Sequence, residues 1–171
     1  LRSTAGAEFG PFSAVISTAP GPQTVPLLAP HSPSLAARTD AAKMLPCFCL
    51  MLSFSRPLEV PFDAAQVTTP PLGWIARNTS KPGRAAAECW VLHADARWSQ
   101  EHLEDDKDAV SQALLAAFTA VTGAGVPDFS SLHRWRYARA GGPFEPQTPI
   151  LWDPNMGLGA CGDWMVGEQV E

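Results

Sequence analysis

Apolar residues recur with a helical period over one long stretch of the chain. Val110, Ala113, Leu114, Ala117, Phe118 and Val121 fall at i, i+3, i+4, i+7, i+8 and i+11, which gathers them on one face. Asp105 or Asp106 stands in front as a cap and Gly123 follows the last turn, so the spacing predicts a helix over residues 106–122 that covers a sheet. Elsewhere the apolar runs are short. Residues 12–18 (FSAVIST) read as a buried strand that must stop at Pro20. Residues 47–54 (CFCLMLSF) lie between Pro46 and Pro57, too short a run for a lone helix, and read as a central strand. Residues 72–78 and 88–94 form the arms of a hairpin, and residues 132–137 alternate in type as a further strand. Two short helices are expected at residues 23–28 and 34–42, with Ser34 capping the second.

These elements predict an α+β fold: a mixed, largely antiparallel sheet of about five to seven strands with one long helix against it. Prolines mark the joints, clustering between Pro20 and Pro33, at Pro70-Pro71, and from Pro143 to Pro154.

Composition narrows the function classes. A net charge of −5 with only 12 Lys and Arg gives no electrostatic footprint for nucleic acid. No apolar run approaches the roughly 20 residues of a membrane span, and the N-terminus lacks the basic-then-apolar order of a signal peptide, so a soluble cytoplasmic protein is expected. Cys47, Cys49, Cys89 and Cys161 form no C-x-x-C pair and are expected as buried, reduced thiols. The five carboxylates between Glu101 and Asp108 suit the first turn of the long helix, where the macrodipole favours negative charge, and no metal site is expected there. The histidines His31, His93, His102 and His133 share no metal-ligand spacing. His93 and His133 read as structural groups on strands. With no nucleophile motif in view, any hard chemistry would fall to a cofactor, and no catalytic residue is assigned.

Two stretches carry candidate chemistry. Arg77 to Arg84 (RNTSKPGR) sets three positive charges and several amide or hydroxyl donors in the hairpin loop, either as a solvated turn or as a hold for an anionic or carbonyl-bearing ligand. The segment over residues 150–171 opens with an apolar pair, turns at Asp153-Pro154-Asn155 and runs through Gly157, Gly159 and Gly162 into Asp163-Trp164. The three glycines spell G-x-G-x-x-G, but only nine residues follow Gly162. A dinucleotide fingerprint needs a long helix there and an acidic residue about 20 positions on, so the match reads as incidental. Small residues allow close backbone approach, and the aspartate suits ligand hydroxyls such as those of a ribityl or ribose chain.

That segment, with its GDW and a following Val-Glu, resembles the C-terminal flavin-contacting motif of the renalase-like branch of the flavin-containing amine oxidase superfamily. The stretches WIARNTSKPGR (74–84), ECWVLH (88–93), Trp98-Ser99 with HLEDD (102–106), and HRWRYA (133–138) extend the resemblance from about residue 11 onward.

The resemblance implies an oxidoreductase with non-covalent FAD. Such an enzyme oxidises a reduced dihydropyridine nucleotide or an amine by hydride transfer to flavin and then to dioxygen. It implies a returning strand of a Rossmann-like FAD-binding domain over residues 1–20, a substrate domain over 21–148 and a flavin-contacting segment over 149–171, so that remnants of the FAD domain lie at both ends. Pro20, Gly162, Asp163, Trp164, Val170 and Glu171 would contact the cofactor. Trp74, Asn78, Lys81 and Trp135 would line the substrate cavity. Members of the family open with a G-x-G-x-x-G turn that has no counterpart before Phe12, and the chain ends where their closing helix begins. The chain is therefore expected to be a piece of the enzyme, inactive in isolation. The alternative is a non-catalytic α+β module that binds a small planar ligand on a tryptophan-lined sheet face.

Overall fold

The computed structural model describes residues 1–84, 87–142 and 148–165. In chain order the elements are β1 (Val15–Ser17), α1 (Gly21–Leu28), α2 (Pro33–Asp40), β2 (Met44–Phe54), β3 (Ala64–Gln66) and β4 (Leu72–Arg77). There follow β5 (Glu88–Ala94), α3 (Ala96–Glu101), α4 (Lys107–Thr122), β6 (Phe129–Ala140), β7 (Leu151–Asp153) and β8 (Leu158–Ala160). The fold is α+β, and the chain divides into two units, one of Leu1–Met44 with Arg139–Glu171 and one of Leu45–Ala138.

In the first unit, α1 and α2 and the sheet β1-β8-β7 share a core of Leu28, Leu35, Ala36, Leu151, Ala160, Trp164 and Met165. β1 runs parallel to β8, and β7 and β8 form an antiparallel hairpin. Asp153 shapes the hairpin turn: its Oδ1 accepts the N–H groups of Asn155 and Met156, and its Oδ2 accepts the Ser32 hydroxyl at 2.6 Å. These bonds hold its carboxyl below the usual range, the Ser32 bond most of all. Ser32 also occupies the N-cap of α2, with Pro33 at the first helical position, where a missing N–H costs nothing. The expected cap, Ser34, sits one residue inside the helix.

In the second unit the strand order is β3-β4-β5-β2-β6, with β3, β4, β5 and β2 successively antiparallel. The Asp128 N–H to the Ser53 carbonyl and the Gly141 N–H to the Lys43 carbonyl bind the two ends of β6 beside β2. β2 extends back past Pro46 to Met44. Its pairing with β5 begins only at Cys49, so the missing proline N–H interrupts no bond of that ladder.

Alternation sends Phe48, Leu50, Leu52 and Phe54 of β2 and Trp90 and Leu92 of β5 to one side. There they meet Val110, Leu114 and Phe118 of α4, one buried residue per turn. Asp106 caps α4 by accepting the N–H groups of Asp108 and Ala109, and Gly123 closes it at φ +70°. Val121, expected on the buried stripe, is exposed in the last turn.

Candidate functional site

The side of the five-stranded sheet turned away from α4 carries the alternate residues of the same strands. In register across β4, β5 and β2 stand Trp74, His93 and Cys49. On β6, His133 and Trp135 are in ring contact at 4.2 Å, while Arg134 and Arg136 reach to Glu104 in the α3–α4 connection. The odd-numbered residues of β6 therefore share the open side with Trp74 and His93. Seven residues in from Asp128 and six from Gly141, Trp135 falls opposite residues 46–49 of β2. Trp74 is 43% exposed, Trp135 54%, Met51 39% and Tyr137 37%, a large aromatic surface for one face.

Trp74 and Trp135 are thus brought to one face by the strand order, about three inter-strand spacings or 14 Å apart. Asn78 opens a short 3-10 turn after β4, and Lys81 follows it. Lys81 forms no ion pair among the described residues, and its ammonium acts on His93. The His93 pKa lies below its ordinary value, first because neighbouring side chains strip water from the ring and second because of the Lys81 charge. His93 was read from sequence as a structural histidine. Its imidazole makes no hydrogen bond among the described residues and faces outward. The signal lay in the alternation of β5, which sets Cys89, Val91 and His93 opposite Glu88, Trp90 and Leu92.

Arg77 departs from the idea of three charges converging in the loop. Its Nε lies 3.2 Å from Glu88 Oε1, its Nη2 donates to the Leu58 carbonyl, and its guanidinium stacks over Trp90 at 5.1 Å. Glu88 Oε1 also accepts the Trp90 indole N–H at 2.7 Å and the Leu58 N–H at 3.3 Å. Arg77 is committed to a part-buried structural network, which leaves Lys81 and Arg84 exposed in the loop.

In the first unit the three glycines each have a packing reason. Gly157 has φ +62°, and a Cβ there would lie 2.7 Å from the Ser13 carbonyl oxygen. A Cβ on Gly159 would meet the Trp152 ring at 2.8 Å, and one on Gly162 the Trp164 indole nitrogen at 2.5 Å. The series runs through the short strand β8 into a 3-10 turn at Asp163–Met165, where the described residues end. Trp164 is 3% exposed, its indole within the core of its own unit. Asp163 is exposed, its Oδ1 accepting the Trp164 N–H at 2.8 Å. Pro20 is half-buried at the N-cap of α1. Val170 and Glu171 lie outside the described residues.

No disulfide joins the four cysteines, and of them only Cys49 is buried, its thiol pKa pushed up by that burial. Among the described residues no group of three His, Cys, Asp or Glu could hold a metal, and no helix is long and apolar enough to cross a membrane.

No family model matches the chain. Its fold is similar to that of part of a crystal structure described as "Putative protoporphyrinogen oxidase", from Exiguobacterium sp. 255-15, with a TM-score of 0.73 and 15% identity. The alignment takes in 96% of this chain and 38% of that one, so the chain spans well under half the length of the solved oxidase.

Proposed function

We propose that this chain supplies the substrate-facing sheet of an FAD-dependent oxidoreductase of the renalase and flavin-containing amine oxidase kind. Its substrate would be a reduced dihydropyridine nucleotide or an amine, and the electrons would pass to dioxygen. The observation that carries the reading is the open face of the five-stranded sheet, where Trp74 stands exposed beside His93 and Trp135 beside His133, while the opposite face is sealed by α4. Fold likeness to part of a solved oxidase supports it by analogy.

FAD, when bound, supplies the hydride acceptor and the route to dioxygen. The chain's own residues do the positioning. Trp74 and Trp135 offer flat apolar walls for a planar ring, and Asn78 and Lys81 offer donors at the rim. Asp163 fits a polyhydroxyl chain, because its carboxylate is exposed and its second oxygen has no hydrogen bond among the described residues. Trp164 takes a packing role under Gly162 in this reading, and the resemblance-based flavin contact is not assigned to it.

The test is the whole protein that carries this chain, purified and examined for flavin absorbance and oxygen uptake with reduced nicotinamide isomers. Stoichiometric flavin is expected, with kcat/KM lowered at least tenfold in Trp135→Ala. Protein that stays colourless after dialysis against FAD overturns the oxidoreductase reading. If such protein still binds a planar ligand in a Trp135-dependent way, the same exposed face belongs to a binding module without redox chemistry.

A further inference from the structure

We infer that Glu104, in the turn between α3 and α4, is a positioning residue for Trp135: by gripping Arg134 and Arg136 it fixes the register and roll at which β6 presents that ring on the open side. This rests on the reading of the open face as the substrate-facing side, and it names a residue off that face on which the face depends.

β6 is the edge strand of its sheet, with β2 as its neighbour among the described residues. Its two ends are bound beside β2, by the Asp128 N–H to the Ser53 carbonyl and the Gly141 N–H to the Lys43 carbonyl. From 128 to 141 is 13 steps, whereas from 43 to 53 is 10, so the β6 side carries three residues with no opposite number. Surplus residues are taken up in bulges, which bend and twist a strand and re-aim its side chains. A bulged strand with a free edge takes its roll from something besides its ladder. Trp135 sits in the middle of this stretch.

What grips that stretch is Glu104. Arg136 meets its carboxylate with both terminal nitrogens, Nη1 to Oε1 at 2.6 Å and Nη2 to Oε2 at 3.0 Å. Arg134 Nη1 lies 3.4 Å from Oε2 and also donates to the Leu103 carbonyl. These arginines are the residues immediately before and after Trp135, so one two-pronged carboxylate holds the backbone on both sides of the indole, while alternation turns the ring the other way. The pair is exposed and adds little to global stability, so its effect is local.

Glu104 is itself carried on a braced turn. Asp95 caps α3 by accepting the Trp98 N–H, and Trp98 meets Phe48 of the core edge-on at 6.3 Å. His102 stacks on Trp98 at 4.2 Å, its Nδ1 lies 2.7 Å from Asp105 Oδ2, and Asp106 caps α4. A turn fixed at both ends offers its carboxylate already in place, with little ordering left to do. The stretches HLEDD and HRWRYA thus meet at this clamp.

The experiment labels the whole protein that carries this chain with fluorotryptophan and assigns the Trp135 fluorine resonance by its loss in Trp135→Phe. Glu104→Gln should shift or broaden that line and leave those of Trp74 and Trp90 in place, with the thermal midpoint within about 4 °C of the native value. Arg136→Lys, which keeps the charge and loses the fork, should act in the same way, and Glu104→Asp should recover part of the native line. In active Glu104→Gln, KM for the reduced nicotinamide or amine substrate should rise about three- to tenfold, with kcat within about twofold. An unmoved Trp135 line, a shift shared equally by Trp74 and Trp90, or an unchanged KM in active protein overturns the inference. A Trp135 line that moves alone in protein holding no flavin bears out the positioning role and removes the oxidoreductase reading.

Discussion

The two sides of the five-stranded sheet are made by the same strands, one residue out of step, and they are used in opposite ways. On one side the large apolar groups of β2, β4 and β5 are buried under α4, with Phe62 and Trp98 packed beside it, and the one carboxylate has three partners in Arg77, Trp90 and Leu58. On the other, tryptophans stand exposed and an imidazole lacks a hydrogen bond among the described residues. A sheet spends its cohesion on the side that is covered. The uncovered side is then free to carry groups chosen for something other than stability.

Removing a side chain from the sealed side should have the largest effect. Phe118 is fully buried between Phe54 and Trp90, and Phe118→Ala should destabilise by about 3–5 kcal/mol in chemical denaturation. Next comes Glu88→Ala, which takes one of its two carboxylate partners from the Arg77 guanidinium and leaves the Trp90 N–H and the Leu58 N–H without their acceptor. A loss of about 2–3 kcal/mol is expected there, measured the same way, with Glu88→Gln recovering part of it.

A smaller effect is a pH dependence on the open side. Because the His93 pKa is lowered by folding, the unfolded chain takes up its proton first. The stability from neutral His93 is complete above about 6.5 and falls as pH drops from there toward the lower folded value. A thermal scan should show His93→Gln losing less stability than the native protein between pH 7.5 and 5.5. The smallest effect is that of Trp135→Ala, expected within about 0.5 kcal/mol of the native stability even as ring binding is lost. Equal destabilisation by Phe118→Ala and Trp135→Ala would erase the distinction between the two sides.

How much of this was legible in the sequence depended on the range of the forces involved. α4 was readable because its period, cap and terminal glycine are all local, and the β4–β5 hairpin because its arms alternate around a polar loop. α3 was not, since six residues give less than two turns and its Asp95 cap on the Trp98 N–H resembles any turn. The three residues of β3 carry no pattern to detect. Trp74, Asn78, Lys81 and Trp135 were nameable as candidates. The meeting of both tryptophans on one face follows from β6 joining the far side of β2, a long-range pairing with no local trace. The commitment of Arg77 was equally invisible, because its partners Asp63 and Glu88 lie 14 residues before it and 11 after it.

The glycines that lie under Trp152 and Trp164 have a consequence for spectroscopy. Trp90 and Trp164 are shielded from solvent, Trp74, Trp135 and Trp152 are exposed and Trp98 is half-buried, so the indoles range from a sealed pair to an exposed group. A guest on the aromatic face would dim the red edge of the emission and leave the blue edge untouched, giving every fluorescence titration its own internal standard.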